Sequence, residues 1–460
     1  MQNIYKQTGV LDKRAIERYF LSEEILCENA SIALKTQLEK VAHKGSFVYI
    51  VCGGGNNGAD GLALARKISQ DYIVRVCMLG DPKTPLAEKE YLRCKSSGVE
   101  FVRKIYKSDV VIDCLFGSGF RGEISPEVRA LIEAMNQSGR IKIACDLPSG
   151  VGKFFKGIAF KADYTVCMGA LKMDLFSEWG KDYVGEIIVA PLGISKSNYE
   201  ISSNVKLLEK KDLTLPNRTK NDTHKGEYGH LAILRTDNEG SKGGAGVLCA
   251  LSAIAFGVGK VSVVGGREQL PYEVMRSENI PSDCNVVAFG MGAGTIENEL
   301  DKLEGYTCVL DADVFYSHKI KAFLQSNPNV ILTPHIKEFA SLLKICEIAD
   351  LSVDEVKAKR DELLLEFCSL YPKAVVVLKG ANTLIAKGEK IYICTFGCNN
   401  LAKGGSGDVL AGMIGSLLAQ GEGRVESSIN AVLAHALASQ KINTSYGLNP
   451  MDLIEAIKYL

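Results

Sequence analysis

Residues 48–68 read VYIVCGGGNNGADGLALARKI: an apolar run, a glycine turn, then an apolar-periodic stretch. That order is strand, tight turn, helix, and it sets the α/β reading of the chain. Gly53, Gly55 and Gly58 satisfy G-x-G-x-x-G at the junction, where amides at a helix N-terminus approach a phosphate. The same spacing also serves a turn that only packs, so the polar residues inside it matter. Asn56, Asn57 and Asp60 bring amide and carboxylate groups into a turn that a hydride-transfer fold fills with small or apolar residues.

Further apolar runs flank this one: YIVRVCML (72–79), DVVIDCLF (109–116), IKIACDL (141–147), ADYTVCM (162–168) and EIIVAP (186–191). Their β-branched, unbroken character fits a parallel sheet covered by helices on both faces. Before them, residues 10–42 repeat apolar residues at helical spacing (Ala15, Ile16, Tyr19, Phe20, Ile25, Leu26, Ala30). Two more strand ends carry polar groups. DCLFGSGFRGE places Asp113 inside a strand and Gly117, Ser118 and Gly119 beyond it; CDLPSGV places Asp146 and Ser149 at another. Ligands of open α/β sheets bind at the carboxyl ends of strands, so the three segments converge on one expected pocket. Asn57, Asp113 and Ser149 would offer hard oxygens to a cation, while Asp113 reads equally as a carboxylate capping its own turn.

The composition turns polar near residues 193–229, with Pro216 as a breaker, and a domain boundary is expected close to residue 205. Alternation then resumes: HLAILR (230–235), a small-residue helix from Gly243, GKVSVVG (259–265), NVVAFG (285–290), CVLDAD (308–313), NVILTP (329–334), AVVVLKG (374–380) and IYICTF (391–396). Within LAKGGSGDVLAGMIGSLL (401–418), Gly404, Gly405, Gly407 and Asp408 open an apolar helix with Leu410, Ile414, Leu417 and Leu418 as its stripe. The amides of residues 405–408 would surround an anion. Asp408 reads either as a cap of that helix or as an acid that takes a proton from a hydroxyl while the amides offset phosphoryl charge. Lys379 and Gly380 stand at one strand end, His335 with Glu338 at another, and Asp311 with Asp313 at a third; the last pair reads evenly as caps or functional acids. A Walker A sequence is absent.

Hydrophobic residues make up 46% and charged residues 23% of 460, with zero formal net charge, which argues for neither a nucleic-acid nor a membrane partner. Fourteen cysteines are scattered without CxxC pairs, as expected of reduced thiols in a cytoplasmic protein. Six histidines without HxxxH spacing argue against zinc. Neither a signal peptide nor a membrane span is read from the sequence.

The first three motifs, preceded by DKRAIE and LCENA, resemble the NAD(P)HX epimerase domain over about residues 10–195. Such domains interconvert the R and S epimers of hydrated NAD(P)H. The resemblance implies potassium on Asn57, Asp113 and Ser149. It implies the hydrated dinucleotide on Asn56, Asn57, Gly58, Ala59 and Asp60, on Gly117, Ser118, Gly119, Phe120, Arg121, Gly122 and Glu123, and on Asp146, which handles a proton at the inverted carbon. Arg121 stands where Lys is common; Arg holds its proton too firmly for acid–base exchange and is read as binding phosphate. Ala59 replaces a usual glycine.

The second half, through KGEYGHLAIL, FGMGAG, LDADVF, TPHIKEF, VLKGANTLIA and GGSGDVLAGMIGSLLAQG, resembles a ribokinase-like fold and, more narrowly, the ADP-dependent NAD(P)HX dehydratase domain over about residues 210–460. That resemblance implies the S hydrate on Ala245, Gly292 or Gly294, His335 and Asp408. Adenine nucleotide falls to Lys379, Gly380, Ala381, Asn382, Thr383 and Gly407, with magnesium expected beside it. HLAILRTDNEGSKGG lacks the Gly-Gly-Ser turn common there, and Lys403 replaces a small residue or Thr. The expected architecture is a Rossmann-like three-layer α/β domain (1–205) followed by a ribokinase-like α/β domain (206–460). The expected activity is a bifunctional isomerase and lyase that repairs hydrated NADH and NADPH at the expense of ADP, as a homo-oligomer. Rivals are a vitamin-type hydroxyl kinase with an accessory dinucleotide-binding domain, and a dinucleotide-binding regulator without turnover.

Overall fold

The computed structural model describes residues 1–119, 124–152, 157–236, 242–294, 296 and 299–460. The chain forms two compact units, Asn3–Ser203 and Asn204–Leu460, the second also including Met1 and Gln2. Both are α/β, as the alternating apolar runs require. Among the described residues, no helix is long and apolar enough to cross a membrane.

In the first unit, helices α1 (Gly9–Tyr19) and α2 (Glu23–Val41) share the periodic stretch. It breaks at Phe20, whose φ of 58° is left-handed, and restarts where the Ser22 hydroxyl accepts from Ile25 N. The strands are β1 (Phe47–Cys52), β2 (Ile73–Met78), β3 (Glu100–Val102), β4 (Ser108–Cys114), β5 (Gly139–Cys145), β6 (Tyr164–Met168) and β7 (Glu186–Ala190). Helices α3 (Asn56–Ile68), α4 (Pro85–Ser96) and α5 (Pro126–Ser138) connect the strands from β1 to β5. All pairings in the order β3-β2-β1-β4-β5-β6-β7 are parallel, so the order reverses between β1 and β4. A crevice opens at such a switch point, beyond the carboxyl ends of those two strands. β3 has three residues, too few for any periodicity to announce it.

In the second unit the strands are β8 (Val205–Leu207), β9 (His230–Leu234), β10 (Lys260–Val264), β11 (Met275–Ser277), β12 (Val286–Phe289), β13 (Thr307–Leu310), β14 (Val330–Leu332), β15 (Val375–Leu378), β16 (Thr383–Lys387) and β17 (Lys390–Cys394). They lie in the order β11-β10-β9-β12-β13-β14-β15-β16-β17-β8. Pairing is parallel from β11 to β15; β15, β16 and β17 then run antiparallel to one another. The segment VVVLKGANTLIA is therefore a hairpin, with Lys379–Asn382 as its turn.

Helices α6 (Gly243–Ala255), α7 (Ile336–Ile345), α8 (Ser406–Ala419) and α9 (Arg424–Lys441) include the expected small-residue helix. α8 departs from the expected stripe, because every residue from Val409 to Ala419 is buried. It packs against both α6 and α9, which hides all its faces. Gly412 makes this possible, since a Cβ there would collide with Ser252 Oγ and the Cys249 carbonyl on α6. All fourteen cysteines are free thiols, thirteen of them buried.

Candidate active sites

In the first unit a cavity of about 620 Å³ lies beyond the ends of β1 and β4–β6. Gly55 is the N-cap of α3, and the first helical bond runs from Ala59 N to Gly55 O at 3.1 Å. The amides of residues 56–58 are thus left at the helix end, where an anion is favoured. The glycines fit by contact. A Cβ on Gly53 would strike the Leu115 carbonyl, and one on Gly58 the Gly53 carbonyl, whereas Gly55 has open space.

Asn56, Asn57, Asp60, Gly117, Ser118, Gly119 and Asp146 line the cavity, as the three motifs required. Gly58 and Ala59 do not. Ala59 is fully buried against Cys27, Ala63, Leu86 and Ala87, because the helical turn carries it to the packed face. Phe120, Arg121, Gly122 and Glu123 lie outside the described residues.

Asp146 is held at φ 69°, a left-handed conformation uncommon for a residue with a side chain. Its Oδ2 accepts from Ser118 N at 3.1 Å and its Oδ1 from Met168 N at 3.2 Å. Lys172 Nζ stands 2.5 Å from that Oδ1. Burial alone would lower the Lys172 ammonium, yet the adjacent Asp146 charge holds it above its ordinary value. Asp60 is different: burial pushes its carboxyl well up, opposed by a hydrogen bond from Cys27. Asp12, accepting from Tyr199 Oη at 2.6 Å, is also raised by burial.

Asp113 and Ser149 lie beneath the cavity. Asp113 Oδ1 accepts from Ser149 Oγ at 2.7 Å and Leu115 N at 3.1 Å; Oδ2 accepts from Ser149 N at 2.7 Å. Burial nevertheless raises this carboxyl to about 6. Asn57 lies by Gly117, and its buried Nδ2 has no hydrogen-bond partner. Carboxylate, hydroxyl and amide oxygens from these three residues are hard donors, the kind an alkali or alkaline-earth cation takes.

In the second unit, five consecutive parallel strands deliver polar residues at their carboxyl ends: Arg235 after β9, Gly292 and Gly294 after β12, Asp311 and Asp313 after β13, His335 after β14, and Lys379 after β15. The N-cap of α8 is Gly405 at φ 94°, and the helix has no side-chain cap. Asp408, in the first turn, therefore does not cap α8; a backbone that makes its own turn leaves the carboxylate to its neighbours. Ser406 N donates to Lys403 O at 3.3 Å, which removes one of the four amides expected for the anion.

Lys379 Nζ contacts Asp311 Oδ1 at 2.7 Å, and a Cβ on Gly407 would lie 3.3 Å from that ammonium. Burial first, then Asp311, raises Asp408 to about 6; Lys379 and Arg235 pull it down, and Asp313 pushes it up. Burial likewise lifts Glu338 to about 6 against Lys379. Asp313 Oδ2 accepts from Gly294 N at 2.9 Å. Ala245 Cβ would be 3.2 Å from a Cβ on Gly292, which joins those two positions. His335 caps α7: its Nδ1 accepts from Glu338 N at 3.1 Å, and its own N donates to Glu338 Oε2 at 2.7 Å. Burial, then Lys379, keeps this ring below its ordinary value and hence neutral at pH 7. Asn382 is buried with its carbonyl bonded to Arg360 Nη1 at 2.9 Å, whereas Gly380 and Ala381 are exposed at the hairpin tip. Thr383 opens β16.

Residues 23–173 match the family described as YjeF-related protein N-terminus, and residues 239–460 match that described as NAD(P)H-hydrate dehydratase. Along its full length the chain is 45% identical to the bifunctional NAD(P)H-hydrate repair enzyme Nnr of Helicobacter pylori, each covered to 100%. The chain belongs to the bifunctional NAD(P)H-hydrate repair enzyme family. Another member, from Coxiella burnetii, is 31% identical over 99% of this chain and 98% of its own. The crystal structure of ADP/ATP-dependent NAD(P)H-hydrate dehydratase from Bacillus subtilis is 25% identical over 56% of this chain and 97% of its own, with a TM-score of 0.47.

Within this repair-enzyme chain, sequence reasoning passed over Lys172 and Arg235. Lys172 is a lone cation in the apolar run VCMGALKMDLF, which signals a buried charge needing a partner. Arg235 directly follows an all-buried strand, where the criterion applied to Asp311 would have found it. Its Nη1 donates to the Met291 carbonyl at 2.8 Å, and its Nε to Glu268 Oε1 at 3.1 Å. Four acids (Asp311, Asp313, Glu338 and Asp408) meet Lys379 and Arg235 here, an excess of negative charge that suits a divalent cation arriving with phosphates. The one close His/Cys/Asp/Glu cluster among the described residues, His230–Asp283–Cys284, lies at the opposite ends of the strands.

Proposed function

We propose that the first unit epimerises R and S hydrates of NADH and NADPH, and that the second dehydrates the S form at the expense of ADP, giving AMP and phosphate. The division falls near residue 205. Family membership supports the pair of activities. The observation that carries the chemistry is Asp408: a raised, uncapped carboxylate in the first turn of α8, beside helix-end amides and Lys379.

In the second unit the ring hydroxyl of the S hydrate attacks the terminal phosphorus of the nucleotide. Asp408 takes the hydroxyl proton as the new O–P bond forms and the bridging O–P bond breaks. The amides of Gly407 and Asp408 and the Lys379 ammonium stabilise the charge on the moving phosphoryl group. Phosphate then leaves with the ring oxygen as the neighbouring carbon loses a proton to solvent, and the electrons of that C–H bond form the double bond. Ala245, Gly292, Gly294 and His335 hold the hydrate; Gly407 and the turn from Lys379 to Thr383 hold the nucleotide. Asp313 and Glu338 would hold a magnesium ion arriving with the phosphates, which would supply charge neutralisation there.

In the first unit the amides of Asn56–Gly58, with those of Gly117 and Gly119, hold the dinucleotide. Asp146 accepts a proton as one epimer opens and returns it as the other forms. Asn57, Asp113 and Ser149 would hold potassium, which would supply a fixed positive charge between these strand ends. The test is to incubate separated R and S hydrates with ADP or ATP while following NADH absorbance. Nucleotide-dependent recovery from S, and from R only through S, supports the reading. Phosphorylation of a vitamin-type alcohol with ATP, without NADH recovery, points to the kinase instead.

A further inference from the structure

Asp146 is the best-tethered polar group of the first cavity, and its tether includes a residue to which no role has been given. Lys172 is buried; its ammonium donates to the Met168 carbonyl at 2.9 Å, the Ala170 carbonyl at 3.4 Å and Cys167 Sγ at 3.5 Å, and it forms an ion pair with Asp146 Oδ1 at 2.5 Å. An ammonium has three protons, and these four neighbours leave none for a ligand. Lys172 is thus poorly placed to pass a proton to a ligand and well placed to fix a carboxylate.

The other titratable groups around Asp146 would not hold its charge. Asp12, Asp60, Tyr199, Cys145 and Cys167 are acids, a phenol and thiols, each raised with burial as the largest cause. Among the described residues, Lys172 is the cation that meets the carboxylate. The backbone adds direction: at φ 69° the Asp146 side chain leaves the end of β5 toward Gly117, whose missing Cβ would lie 3.1 Å from Oδ2. One oxygen is pinned by Lys172 and Met168 N, and the other stands at the cavity wall beside Ser118 N.

We infer that Lys172 is a positioning residue for epimerisation: its buried ammonium pins one oxygen of Asp146 and so holds the second oxygen turned to the ligand. The inference rests on the epimerase reading above. Lys172 acts through Asp146 and not on the substrate.

The test uses the full chain and purified R hydrate, with the R/S ratio followed chromatographically. Lys172→Met is expected to lower kcat about 100-fold, the scale of a misplaced reacting group, with KM nearly unchanged. Methylammonium added to Lys172→Ala is expected to restore part of that rate. Because Lys172→Met leaves a buried charge unpaired, the double variant Lys172→Met/Asp146→Asn, which removes both charges, carries the test if the single variant fails to fold. It is expected to be no slower than Asp146→Asn alone, since residues acting as a unit are non-additive. Wild-type kcat in Lys172→Met, or a further large loss in the double variant, overturns the inference. If the wild-type chain itself does not interconvert the hydrates, the epimerase reading fails first, and the two failures are told apart by that control.

Discussion

Asp146 and Asp408 both present a carboxylate beyond the strand ends of their own units, Asp146 directly after β5 and Asp408 in the first turn of α8, and their surroundings differ. Asp146 is matched by a buried ammonium 2.5 Å away. Asp408 has Lys379 and Arg235 nearby, but Asp311 and Asp313 oppose them and burial lifts it to about 6. A carboxylate held by an adjacent ammonium has its orientation fixed by that partner, as a group that must meet one carbon of an epimerase substrate needs. A carboxylate raised toward neutrality is a stronger base, as removal of a hydroxyl proton needs. Carboxylates beyond strand ends thus serve two chemistries through the charges around them.

The comparison breaks most decisively at position 408. Asp408→Asn is expected to lower ADP-dependent recovery of NADH from the S hydrate by roughly 10²–10⁴-fold while epimerisation continues at its normal rate. Substantial dehydration by that variant would remove Asp408 from its role. Asp146→Asn is expected to slow recovery that starts from the R hydrate by about 100-fold and to leave recovery from pure S hydrate unchanged. Equal slowing from both epimers would place Asp146 outside epimerisation.

A smaller effect sharpens the electrostatic contrast. With Asp408 at about 6, dehydration should fall about tenfold per pH unit below that value. The sign for stability is opposite to that of a salt-bridged carboxylate. Asp408 is raised above its unfolded value, so its protonation favours the folded state, and the acid loss is one of rate and not of fold. Initial rates and thermal melts over pH 5–7 read the two separately. The smallest effect concerns packing. Gly412→Ala should cost about 1–3 kcal/mol, because the new methyl meets Ser252 and Cys249 on α6. Urea midpoints of the full chain check it, and an unchanged midpoint would mean that the α6–α8 seam yields.

The parallel sheets were legible because their strands are unbroken apolar runs, and so were the glycine turns, because only glycine tolerates contacts as close as those of Gly53 and Gly58. Edge strands such as β3 and β11 were not, since three residues carry no period. Asn57, Asp146 and Asp408 could be placed from their motifs, Asp146 directly after a strand and the other two in the first turn of a helix. Ala59 was misjudged because its loop position gave no sign that the helical turn faces it inward. Sequence by itself determined the two α/β units and the carboxylates their strand ends present, because periodicity and glycine spacing are local properties of the chain. Tertiary structure alone decided which charge meets which carboxylate. Lys172 lies 26 positions from Asp146, and Lys379 lies 68 from Asp311 and 29 from Asp408. The proton affinity of a buried acid is set by neighbours that only the folded chain brings together.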